Sequence, residues 1–472
     1  MNNDSSISQM QDTAHNSLQS AANDASLSLF TDLYELTMAQ AYWQAGITAE
    51  ACFSLFVRRL PDNRGYLLLA GLDDMLNALA DSCFTESDIA ALRSLRLFDD
   101  DFLQYLACLQ FTGSARAIPE ASVFFANEPV IEVTAPIIEA QIVETLLLNL
   151  FNAQTMLATK AARVVHAASG ITVMDFAARR TQGIDSAVKF ARSAYIAGFA
   201  GTSNVLASRR YDIPAIGTMA HSFITSFESE LDAFNAYADS FPHNSTLLVD
   251  TYDTMQGVRN AVAVAKRMQR QGHALNAVRL DSGDLRALSI QARQMLDAAG
   301  LPNVQVLASG GLDEFQIDRL LREGAAIDGF GVGTNVGTSA DYPWLDCVYK
   351  LVQYDGKPTL KLSDGKETLV GAKQIFRCVD ADGLYLGDTI GCADEPAPDD
   401  AKPLLTEVMR DGKRTAKAPS LDELRTRAAK ELGRLPAPHK RVESPTEYPV
   451  IVSERLEERQ RRAKRRILAQ GK

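Results

Sequence analysis

From residue 171 onward the chain alternates in a regular way. Short apolar runs end in small or polar residues, and each is followed by apolar positions at helical spacing. The runs are ITVMDFA (171–177), AGFAGTSN (197–204), IPAIGTM (213–219), TLLVDT (246–251), AVRLDS (277–282), NVQVLAS (303–309) and IDGFGVGT (327–334). The last four begin 31, 26 and 24 residues apart (246 to 277, 277 to 303, 303 to 327). That is the spacing of parallel βα units whose strands are buried on both faces. The pattern predicts an α/β fold, an irregular (βα) barrel of seven to eight strands. No GxGxxG opens the series, which disfavours an open dinucleotide-binding sheet.

The flanking regions read differently. Residues 1–26 are rich in Ser, Asn, Gln and Asp and lack the basic and apolar regions of a signal peptide, so a disordered tail is expected. Order is expected to begin at Ser28. There Leu33, Leu36, Met38, Ala39 and Tyr42 suit one face of a helix that Thr31 or Asp32 would cap. A strand at 51–57 leads into the loop 58–65, where Arg58, Arg59 and Arg64 suit either phosphates or solvent. Helical patterns at 67–80 and 87–108 and strands at 111–117 and 130–134 complete a mixed α+β third. Farther on, 348–363 and 378–390 read as hairpins turning at Asp355-Gly356 and Asp382-Gly383. Residues 393–419 look loop-like, and 454–467 form a charged helix. The expected division is a tail (1–26), a discontinuous α+β domain (27–160 plus 346–440), the barrel (161–345) and a charged C-terminal helix or tail (441–472).

Composition narrows the partners. A net charge of -11 and a pI near 5.2 argue against nucleic acid. No apolar stretch approaches the ~18 residues of a membrane helix. The six cysteines are scattered without a CxxC pair, which fits a reducing cytoplasm better than a disulfide framework or metal site.

The chemistry gathers where barrels keep their active sites, at the C-terminal ends of the strands. The segment IPAIGTMAHSF (213–223) places His221 after a strand and the small residues Gly217-Thr218. The segment SGGLDE (309–314) sets Ser309, Gly310 and Gly311 before a helix, so that backbone N–H groups and the helix dipole can face an anion. One unit later GVGTN (331–335) offers Gly333 and Thr334 as a second cradle. The segment RLDSGDL (279–285) combines Arg279, able to fork onto a carboxylate or phosphate, with Asp281 and Asp284. These carboxylates suit ribose hydroxyls or an Mg²⁺ ion carried by a phosphorylated substrate. Arg179 and Arg180 add cationic groups. Together they suit an anionic phosphorylated sugar and a small acidic co-substrate.

The stretches TDLYELTMAQAYW, FVRRLPDNRGYLLLAG, DFAARRTQG, GTSN, GTMAHSF, LVDTYDT, VRLDSGDL, ASGGLDE and GVGTN resemble the nicotinate phosphoribosyltransferase family, in order, from about residue 28 to at least 380. The resemblance implies that nicotinate and phosphoribosyl pyrophosphate become nicotinate mononucleotide and pyrophosphate. The reaction is assisted by ATP hydrolysis and by Mg²⁺ travelling with the phosphates. It implies that His221 is transiently phosphorylated, with Asp281 beside it in the catalytic centre. Tyr34 would pack on the pyridine ring, and Thr218, Arg279, Arg179 and Ser222 would contact nicotinate. Thr334, Gly333, Gly310, Gly311, Ser309 and Arg180 would hold phosphoribosyl pyrophosphate. A homodimer is implied, with the first helix reaching the neighbouring barrel, and no protein-held metal site. The alternatives are nicotinamide or quinolinate phosphoribosyl transfer, or a non-catalytic metabolite sensor. A sugar-phosphate aldolase is disfavoured because no strand end offers a lysine.

Overall fold

A computed structural model describes residues 27–362 and 368–469. The expected tail at 1–26 lies outside the described residues. The fold is mixed α/β and built around a parallel sheet. Its strands lie side by side in the order Thr246–Leu248, Ala277–Leu280, Gln305–Ala308, Gly329–Val332 and Thr172–Asp175. All neighbours are parallel, and residues such as Leu247, Val278, Val306 and Phe330 are fully buried. Helices cover such strands, which is why their side chains are apolar throughout.

Two of the seven apolar runs give one bridge each rather than a strand. Thr202 pairs beside Asp175, and Ala215 beside Thr202, so the row continues for two more positions. The run at 197–204 is short because Ala197 still belongs to the helix Ile184–Ala197. In the run at 213–219, Pro214 has no N–H to give a ladder, although its carbonyl accepts from Thr202 N at 3.0 Å.

A seven-stranded antiparallel sheet lies beside this unit. It runs Lys357–Pro358, Cys347–Tyr354, Glu50–Val57, Ile131–Pro136, Ser114–Ala117, Thr406–Arg410 and Lys413–Arg414. Phe53 stacks on Tyr349 across it, with centroids 4.8 Å apart. The Asp382-Gly383 hairpin instead joins Ala401–Pro403 and Val450–Val452 in a separate four-stranded sheet.

The helix Glu144–Ala167 connects the two main units, running unbroken across residue 160. Leu147, Leu150 and Phe151 near its start pack in the core of the antiparallel sheet. Leu157, Ala158, Ala161 and Val164 pack in the core of the parallel one.

Several sequence expectations need correction. The helical stretch at 87–108 is two helices, Glu86–Ser94 and Asp100–Ala107, and the chain after Ala220 likewise forms two, His221–Thr225 followed by Glu230–Ser240. In the latter break Ser229 caps the second helix, its hydroxyl accepting from Asp232 N at 3.1 Å. Residues 393–419 contain three short strands and are not simply loop; Met409, between half-buried Val408 and exposed Arg410, is fully buried. Neither Thr31 nor Asp32 caps the first helix, Leu33–Gln44, with its side chain. Thr31 donates instead to Glu35, and Asp32 accepts from the Thr145 hydroxyl at 2.8 Å. Leu36 and Ala39 are buried on that helix, whereas Leu33 is exposed. No helix among the described residues is long and apolar enough to cross a membrane.

Candidate active site

The strand ends of the parallel sheet open onto a cavity of about 350 Å³. Arg179, Arg180, Thr218, His221, Arg279, Asp281, Ser309, Gly310, Gly311, Gly333 and Thr334 all line it, so residues spread over more than 150 positions of sequence share one space. Ser222 follows His221 in the same short helix and does not line the cavity. Tyr34, on the first helix, is also outside it and 47% exposed. A larger cavity of about 840 Å³, beside Arg58–Gly65 and Tyr448, contains none of the strand-end residues. The three loop arginines are engaged in ion pairs within the chain, Arg58 and Arg59 with Asp346, and Arg64 with Asp341.

One corner of the cavity suits a planar acid. Arg279 rises from Ala277–Leu280 and donates through Nη1 to the Thr218 hydroxyl. Its guanidinium sits 5.9 Å from the centroid of the Phe176 ring, and its Nε is buried with no hydrogen-bond partner among the described residues. Burial lowers the Arg279 pKa, and Asp281 and Asp250 oppose that effect. A guanidinium starting so high stays cationic at neutral pH. Phe176 is a cavity wall that the sequence reading missed. The one available signal was its place just past Asp175, at a strand end rather than within the strand. Gly331 makes room for it, since a Cβ there would lie 2.3 Å from the Phe176 ring. Asp175 is buried beneath, accepting from the Thr202 hydroxyl at 2.6 Å and Ala177 N at 2.7 Å. Burial raises its carboxyl to about 6 despite these bonds.

A second corner holds the histidine. His221 Nδ1 lies 3.1 Å from the Thr251 hydroxyl, a partner the sequence reading did not single out. Its Nε2 is 3.9 Å from Asp281 Oδ2. Asp281 is itself fixed: Ser309 donates to its Oδ1, and its backbone N–H donates to Asp250 Oδ2 at 3.0 Å. The other Asp250 oxygen is buried without a hydrogen-bond partner among the described residues.

The glycine loops complete the space. Gly310 has φ +98°, and a Cβ on it would meet the Asp281 carbonyl oxygen at 2.0 Å, so this position requires glycine. Asn335 Nδ2 donates to Gly311 O at 2.7 Å and joins the two loops. The expected role of the helix dipole needs correction. Asp313 caps the helix Glu314–Arg322, accepting from Phe315 N at 3.0 Å and Gln316 N at 3.2 Å. A carboxylate therefore already occupies that helix start, leaving the loop's own amides and Ser309 to meet an anion.

The chain is similar to known proteins over most of its length. Three family models match in succession: the nicotinate phosphoribosyltransferase N-terminal domain over 29–152, the nicotinate phosphoribosyltransferase family over 171–382, and its C-terminal domain over 397–460. A nicotinate phosphoribosyltransferase of Mycobacterium tuberculosis is 49% identical over 430 residues, covering 91% of this chain and 92% of its own. This chain belongs to the nicotinate phosphoribosyltransferase family. The family's Bacillus subtilis enzyme is 40% identical, covering 93% of this chain and 95% of its own. The crystal structure of human nicotinic acid phosphoribosyltransferase aligns with a TM-score of 0.82 at 32% identity, over 91% of this chain and 98% of that one. A nicotinate-nucleotide pyrophosphorylase from Pyrococcus furiosus aligns with a TM-score of 0.72 at 25% identity, over 87% and 97%.

Proposed function

We propose that this cavity transfers the phosphoribosyl group of phosphoribosyl pyrophosphate to nicotinate, coupled to ATP hydrolysis, giving nicotinate mononucleotide for NAD synthesis. The observation that carries the reading is the junction of an Arg279–Thr218–Phe176 corner with two glycine loops in one cavity. Arg279 and Thr218 hold the nicotinate carboxylate, with Arg179 as a further cationic contact, and Phe176 lies against the ring. Ser309, Gly310, Gly311, Gly333, Thr334 and Arg180 hold phosphoribosyl pyrophosphate. The pyridine nitrogen needs no base. Its lone pair forms the bond to ribose C1 as the C1–O bond to pyrophosphate breaks, and positioning together with charge stabilisation carries the rate.

Among the described residues no three His, Cys, Asp or Glu side chains converge on one point. The pair Asp281 and Asp250, with one buried oxygen unengaged, fits an Mg²⁺ ion that arrives on phosphate oxygens. Held there, such an ion would supply positive charge to the departing pyrophosphate. With Nδ1 on Thr251, His221 offers Nε2 to ATP. An N–P bond forms as ADP leaves, and water later breaks that bond to release phosphate. Asp281 faces the same nitrogen.

The same reading takes the row of strands as an irregular barrel, whose two ends the His221–Thr251 contact links. It takes 161–345 as the catalytic domain and 27–160 plus 346–440 as its companion. Exposed apolar groups support a homodimer. Phe30, Leu33 and Tyr34 are uncovered on the first-helix side, and Ile184, Val205 and Leu206 near the cavity. Tyr34 would then reach the ring of a nicotinate bound to the other subunit. No disulfide joins the six cysteines, which suits a cytoplasmic setting.

Competition kinetics test the substrate. With phosphoribosyl pyrophosphate and Mg²⁺, nicotinate is expected to give product while nicotinamide and quinolinate give little. Preferential use of nicotinamide would keep the family and change the substrate. No product from any base would place the protein among sensors.

A further inference from the structure

Lys160 is 1% exposed in the middle of the helix Glu144–Ala167, a place where a charge needs partners. Its Nζ is 2.6 Å from Glu314 Oε2 and 2.7 Å from Asp341 Oδ1. Glu314 opens the helix that directly follows the Ser309–Gly311 loop. Asp341 comes shortly after the short helix Thr334–Gly337, which leaves the other loop. One ammonium thus ties down the chain just past each of the two loops.

Two arginines reinforce the tie. Arg163 Nε lies 3.0 Å from Glu314 Oε1, and Arg64 Nη2 lies 2.8 Å from Asp341 Oδ2. Burial alone would raise the Asp341 carboxyl, yet Arg64 and Lys160 hold it at about 2. Three cations face two carboxylates here. Replacing a buried ion cluster by apolar packing of equal volume is often neutral or stabilising, so stability alone does not account for this one.

We propose that Lys160, Glu314 and Asp341 are positioning residues, setting the distance between the two glycine loops so that both engage one molecule of phosphoribosyl pyrophosphate. The proposal rests on the phosphate role given to those loops above. It separates from a purely electrostatic role by sign. Asp341→Asn removes a negative charge, so a field effect tightens phosphate binding, whereas a lost spacer weakens it.

Asp341 is 30% exposed, so its variants are expected to fold, and a melting curve checks this. Steady-state kinetics of Asp341→Asn are expected to show KM for phosphoribosyl pyrophosphate raised about tenfold, and KM for nicotinate at saturating co-substrate changed less than about twofold. Asp341→Glu is expected to restore part of the loss. Titration of inorganic pyrophosphate into each protein by calorimetry reads the same site without turnover. Weaker binding by Asp341→Asn supports the proposal even if no base proves to be a substrate, and thereby separates it from the choice of base. Unchanged or tighter binding of phosphoribosyl pyrophosphate or pyrophosphate by Asp341→Asn overturns it. So does a wild-type protein that binds neither.

Discussion

Arg279 carries more of the proposed chemistry than any other single side chain, and what matters is its shape as well as its charge. A lysine keeps the charge but loses the planar fork and the contact with the Phe176 face. Arg279→Lys is therefore expected to raise KM for nicotinate by about ten- to a hundredfold while leaving KM for phosphoribosyl pyrophosphate nearly unchanged. Equal effects on both substrates would remove Arg279 from the nicotinate corner. Gly331 is a subtler case. The methyl of Gly331→Ala would stand 2.3 Å from the Phe176 ring and push it toward the cavity. The variant is expected to lose about 1–3 kcal/mol of stability, measured by denaturant unfolding, and to bind nicotinate more weakly. The neighbourhood of Phe176 was not legible in the sequence, because an aromatic after an apolar run looks like core until neighbouring strands show that it faces a cavity.

At the scale of elements, Glu35 binds the first helix to the long one. Its Oε1 lies 2.8 Å from the Thr145 hydroxyl oxygen, whose proton Asp32 shares, and accepts from Thr145 N at 3.2 Å, at the N-terminus of Glu144–Ala167. Burial raises its carboxyl to about 7, well above the usual carboxylate range. A raised carboxylate favours the folded state fully below its unfolded pKa, and that advantage is lost as pH rises through about 7. Relative to Glu35→Gln, the wild type is expected to lose about 2–3 kcal/mol of stability between roughly pH 4.5 and 7.5, read from paired melting curves. Parallel curves would contradict the shift. Such a tie between helices far apart in sequence was invisible in the chain, where Thr31 and Asp32 suggested ordinary caps. The strands of the parallel sheet were legible because apolar runs of regular spacing have few other uses. The runs holding Thr202 and Ala215 were legible as positions but not as lengths, since one emerges from a helix end and the other contains Pro214.

At the scale of the molecule, the parallel sheet gathers at one edge residues that the sequence scatters from Arg179 to Thr334. The glycine loops and His221 could be read because each follows an apolar run, and Arg279 because it is the one charged residue in another, AVRL (277–280). The ion cluster behind them could not, as Lys160 sits within an apolar helix and Asp341 within a loop. Tyr34 lies outside the cavity, so its proposed role requires a second copy of the chain. Tyr34→Ala and His221→Ala, each defective alone in ATP-stimulated turnover, are expected to complement in that turnover when co-refolded. Random pairing leaves one intact site in half of the dimers, about a quarter of wild-type sites. Absence of recovery would place Tyr34 outside the partner's site.

The most direct measurement is the mass of the product made from nicotinate, phosphoribosyl pyrophosphate and Mg²⁺, with and without ATP, by the wild type and by His221→Ala. The expected result is nicotinate mononucleotide formed by both proteins. ATP should stimulate only the wild type, which alone should yield an acid-labile phosphoprotein. Equal stimulation of His221→Ala by ATP would contradict the coupling, and no nicotinate mononucleotide from the wild type would contradict the assigned reaction.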